Sequence, residues 1–104
     1  MIAYIADTAE IGENVTIDGN AQIYDYAILD GHAIVCGFAL LTGTAYVGDH
    51  AKVSGHARVR DNAIVIGHVH VYGTAWVNGN VILAGDVTFN SGHIRGIHWW
   101  RDVP

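Results

Sequence analysis

An all-β solenoid, a chain wound into stacked coils, is the fold class this sequence predicts. Three observations predict it. Ile, Leu, Val or Phe returns every sixth residue from Ile5 to Phe89 without one polar interruption. Two residues before each of these stands Ala or Val, from Ala3 to Val87. Two residues after each, the position is Gly nine times and Asp four times, with Glu13 and Ser91 as the exceptions.

Each position of the hexad follows from chain geometry. Residues i and i+2 of an extended strand point to the same side, so positions one and three face inward together. Burial of each inward Val, Ile or Leu is worth roughly 1.5–3 kcal/mol, and of alanine less. Position five is where the chain must turn, and Gly or Asp tolerates the left-handed backbone that a tight corner requires. One hexad cannot bury its own apolar side, so the hexads must stack. They run without insertion from residue 3 to residue 92, which makes 1–92 the solenoid. The remaining HIRGIHWWRDVP, residues 93–104, breaks the pattern, because His93 and Arg95 would fall on inward positions. It is expected to form a short C-terminal cap, with Trp99 and Trp100 over the open end of the core.

The totals bound the function classes. A chain of 104 residues is one domain. A formal charge of −5 excludes a general nucleic-acid polymer as partner, since such binding needs cations that release counterions. Cys36 is the only cysteine and makes no internal disulfide, which points to the cytoplasm. The opening MIAYIADTAE has no basic region and no long apolar run, so neither a signal peptide nor a membrane span is expected.

Ile11-Gly12-x-x-Val15 and the Gly-x-Ala-x-Val runs resemble the hexapeptide-repeat, left-handed parallel β-helix proteins, and the resemblance covers residues 3–92. It implies a left-handed coil of triangular section with three hexads per turn, hence five coils with residues eighteen apart stacked. It also implies a cyclic homotrimer, the common assembly of that family, with functional sites in the clefts between subunits. Its branches include acyltransferases and γ-class carbonic anhydrases, and no single characterised enzyme matches closely.

Stacking at eighteen sorts the outward residues onto three faces. The first carries Glu10, Ile28, Tyr46, Ile64 and Ile82, joined by Ile66 and Ala84. So apolar a stack marks an interface, and Ile28, Tyr46, Ile64, Ile66 and Ile82 are the candidate contacts between copies. The second carries Thr16, Ile34, Lys52, His70 and Thr88. The third carries Tyr4, Gln22, Leu40, Arg58 and Trp76, with Tyr24, Thr42, Arg60 and Asn78 alongside. On the corner after the first face, His32, His50 and His68 form a ladder with rungs about 4.8 Å apart, the strand spacing.

Three chemistries compete for these residues. A metal would suit His68-x-His70, since imidazole ligates zinc, iron and nickel. In the carbonic-anhydrase branch, however, the motif is Gly-His-x-x-x-x-His-Gly, and here Gly73 stands where the second histidine would be. No metal and no cofactor are therefore expected. Acyl transfer needs a histidine as general base, for which His32, His50 and His68 are the candidates. The family's enzymes add a loop excursion and a helical region that this uninterrupted repeat does not contain. Anion binding draws on the cations, all at or after residue 52. Arg58, Arg60 and Trp76 on the third face, His68 and His70, and Arg95, Trp99, Trp100 and Arg101 in the tail are its candidates. Guanidinium beside aromatic rings suits a planar, anionic, nucleotide-like ligand. The expected function is a non-catalytic homo-oligomer that binds or sequesters such a ligand, or a protein partner. The alternatives are an acyltransferase-like enzyme and a structural spacer.

Overall fold

The computed structural model describes residues 3–94 and the backbone of residues 99 and 100. Among the described residues there are seventeen strands of two residues each, from Tyr4–Ile5 to Trp99–Trp100, and the first fifteen fall on positions two and three of successive hexads. They assemble into three wholly parallel sheets, and every third strand belongs to the same sheet. Tyr4 pairs with Gln22, Glu10 with Ile28 and Thr16 with Ile34, so residues eighteen apart lie in register. The result is an all-β parallel solenoid of about five turns, with no helix among the described residues. The three sheets are the three expected faces.

The interior is built as the hexad dictates. Among the described residues every fully buried side chain is an inward Ala, Val, Ile or Leu, from Ala21 and Ile23 to Val81 and Leu83, and no polar side chain is buried with them. The first coil is less covered. Ile11, Val15 and Ile17 are half-buried and Ile5 is exposed, because only one neighbouring coil packs on them.

Corners follow position five. Its backbone is left-handed at nine glycines and at Asp25, Asp49 and Asp61: φ is +62° at Gly31 and +57° at Asp49, for example. The carbonyl of position four accepts a bond from the N–H three residues on, as in Ala27 to Tyr24. Positive φ at the second residue of such a turn is the type II′ arrangement, in which glycine and aspartate are at home. Aspartate gives the corner something more. The carboxylates of Asp25, Asp49 and Asp61 each accept from the backbone N–H of the glycine one coil further on, Gly43, Gly67 and Gly79, at 3.1 Å. This bond offsets the strain of a Cβ in left-handed backbone.

One corner is a residue short. Up to Tyr72, N–H groups bond carbonyls seventeen residues on, as Tyr72 does to Phe89; from Thr74 the offset is sixteen, to Asn90. Positive φ consequently passes from the expected position 91 to Gly92. Trp76 then pairs with His93 and Val77 with Ile94. This shift resolves the break read in the sequence. His93 turns outward, and Ile94 takes the buried position. The pairing continues with Ile82 in register with Trp99 and Leu83 with Trp100. Arg95 and Arg101 lie outside the described residues, as do the Trp99 and Trp100 side chains.

Candidate functional site

The expected histidine ladder is present. The His32 and His50 rings stack at 5.3 Å and 6°, and the His50 and His68 rings at 5.0 Å and 3°. All three are exposed. Imidazole lone pairs lie in the ring plane, so near-parallel stacked rings cannot aim theirs at one tetrahedral centre. Among the described residues no group of three or more His, Cys, Asp or Glu is placed to hold a metal ion.

The other expected residues separate by face. His70 sits half-buried on the second face, where its Nε2 lies 3.1 Å from Ser54 Oγ and its ring 4.5 Å from that of Tyr72. Burial, then the charge of neighbouring Lys52, holds His70 below its ordinary value of 6.5. The sign follows from linkage. Below pH 6.5 the unfolded chain takes up a proton that folded His70 resists, so stability falls from there toward the folded value. An NMR titration is expected to place the His70 midpoint below 6.5, and Lys52→Met to raise it without abolishing the shift. A wild-type midpoint at or above 6.5 would contradict this account.

Arg58, Arg60 and Trp76 are gathered on the third face. The Arg58 guanidinium lies over the Trp76 ring, 4.9 Å from its centroid, a cation–π geometry. His93, turned outward by the short corner, meets the same ring edge-on at 5.4 Å. Arg60 is near Asp61, at 4.0 Å. Arg58 has no carboxylate partner among the described residues.

Arg58 also lines a groove of about 410 Å³ along the corner where the second face turns into the third. Its other walls are Asn20, Gln22, Phe38, Leu40 and His56. These residues were not apparent as a site in the sequence, although stacking at eighteen places them in two adjacent columns. Asn20, Phe38 and His56 follow one another up the corner; Gln22, Leu40 and Arg58 follow one another up the face. Phe38 is 55% exposed and stacks on His56 at 4.9 Å and 2°. The histidine ladder lies on a different corner, between the first and second faces. Within one chain, His32, His50 and His68 are therefore not part of the groove.

No protein-family model matches the chain, and no curated protein is similar to it in sequence.

Proposed function

We propose that the protein is a non-catalytic, homo-oligomeric solenoid of the hexapeptide-repeat, left-handed type, which binds a small anionic molecule in the Arg58 groove. The observation that carries this reading is Arg58 itself. A guanidinium held by a tryptophan ring, with no carboxylate partner among the described residues, lines a groove with an exposed aromatic wall. Guanidinium binds carboxylate or phosphate through paired hydrogen bonds, and a chain of net charge −5 otherwise repels anions. Copies associate through the first face, a homotrimer being the assembly the repeat favours. Such packing would bring the histidine ladder, on the corner beside the first face, toward the neighbouring copy and leave the Arg58 groove open on the opposite corner. No helix among the described residues is long and apolar enough to cross a membrane. The lone Cys36 is compatible with the reducing cytoplasm.

The test maps backbone amide shifts while inorganic phosphate, AMP and benzoate are added in turn. At least one of them is expected to perturb residues 20–22, 38–40 and 56–58. Arg58→Gln should weaken that binding about tenfold or more, since a hydrogen bond to a charged group is worth about 1.5–3 kcal/mol. Its melting temperature should fall by only the few degrees that correspond to about 0.5–1 kcal/mol for the lost cation–π contact with Trp76. If all three anions leave these residues unmoved, the structural-spacer reading replaces this one.

A further inference from the structure

The six groove residues are ordered along the coil axis by chemistry. The rung of His56 and Arg58 is basic, with the guanidinium fixed over Trp76. The next rung, Phe38 and Leu40, is apolar. The third, Asn20 and Gln22, offers two carboxamides, each able to donate and to accept. The rungs follow one another at the spacing of the Phe38–His56 stack, 4.9 Å. From the amides to the guanidinium is thus two rungs, about 10 Å at the strand spacing.

Such a gradient describes its ligand. One end must be an anion, since Arg58 lacks a carboxylate partner among the described residues. The middle must be flat and apolar, because it lies on Leu40 beside an exposed phenylalanine ring, where aromatic pairs gain from offset or edge-to-face contact. The far end must be polar and uncharged, because carboxamides satisfy a hydroxyl, whereas neither residue carries a charge to balance a second ion. A nucleotide fits this order poorly, since its sugar would occupy the apolar rung.

Resting on the reading of the groove as an anion site, we infer that it binds a para-hydroxylated aromatic carboxylate. The acid group lies on Arg58, the ring on Leu40 and Phe38, and the hydroxyl between Asn20 and Gln22. The polarity of the three rungs thus selects both the length of the ligand and its direction.

The experiment compares 4-hydroxycinnamate with cinnamate and with the neutral cinnamamide, by calorimetry and amide-shift mapping on the full chain. The hydroxylated acid is expected to bind more tightly than cinnamate by about two- to twelvefold, the range of one neutral hydrogen bond. Cinnamamide should bind at least about tenfold more weakly than cinnamate, because it forfeits the charge-assisted bond. In Gln22→Leu the preference for the hydroxyl should shrink while cinnamate still binds; in Arg58→Gln both acids should weaken. Outward positions such as 22 tolerate substitution, and a preserved amide spectrum establishes that each variant is folded. If AMP, benzoate or phosphate occupies the groove while 4-hydroxycinnamate does not, or while its hydroxyl brings no advantage that Gln22 controls, the inference fails and the anion-site reading stands. If no anion binds at all, both fail.

Discussion

Gly73→Ala is expected to destabilise the protein by about 2–5 kcal/mol, combining left-handed strain with overpacking against backbone. Gly73 has φ +67°, and a Cβ there would lie 2.2 Å from the carbonyl oxygen of Asn90. That carbonyl is fixed, since it accepts the N–H of Thr74 at 3.2 Å. The crowding has a cause in the short corner, which draws the chain inward opposite Gly73. Gly92→Ala is the matched control. Its φ of +86° is equally left-handed, but the nearest atom to an added Cβ is Phe89 Cζ at 3.9 Å. It should therefore cost only the conformational term, about 1–2 kcal/mol. Urea unfolding of the two variants reads the difference. Equal losses would show that the Asn90 carbonyl yields freely.

If copies associate through the first face as proposed, Ile64→Asp is expected to leave a monomer of 11.2 kDa where the wild type is larger, read by native mass spectrometry. Ile64 lies in register between Tyr46 and Ile82, at the centre of the first face. Its neighbours along the stack leave it half-buried in the single chain. An aspartate there would stay solvated in a monomer and disturb the fold little. Between two copies it would be a desolvated charge with no partner, a loss of several kcal/mol that an ordinary interface does not survive. An unchanged mass, or a wild-type protein that is already monomeric, would reject the first face as the contact. The face is not wholly greasy. Burial, then the charges of Asp30 and Asp49, holds the Tyr46 phenol above its ordinary value of 10.0. Tyr46 also lies across Gly48, where a Cβ would be 2.6 Å from its Cε1, which explains a glycine outside the corner positions.

The solenoid was legible because its determinant is periodic and local. A single side chain at Ile23 or Val65 says little, but fifteen repeats of the same inward pair leave no other way to bury them. The columns were legible too, once eighteen was known, and the parallel His32, His50 and His68 rings follow from that arithmetic. Harder to read was the end of the pattern. His93 and Arg95 on inward positions signalled a break, yet a single omitted residue at the corner restores Ile94 to the core. Periodicity registers that a phase changes, whereas the remedy depends on which corner can tighten, here the one facing Gly73. The groove was harder still. Arg58 and Trp76 stood out by residue type, but Phe38 and His56 occupy a position that elsewhere holds Asn20 and Thr74. Only their stacking beside the short Leu40 side chain makes a concave wall from them.

Alignment at eighteen gives this chain something like a reading frame. An inserted or deleted segment of eighteen residues would add or remove one coil and leave every other column aligned, lengthening or shortening the molecule by about one strand spacing. Any length that is not a multiple of six would exchange inward for outward residues or misplace a corner. The missing residue before His93 is such a frameshift, tolerated because it falls at a corner and returns an isoleucine to the interior. Lineages of this fold should therefore vary in size by whole coils, with the groove, confined to three consecutive rungs, carried through such changes intact.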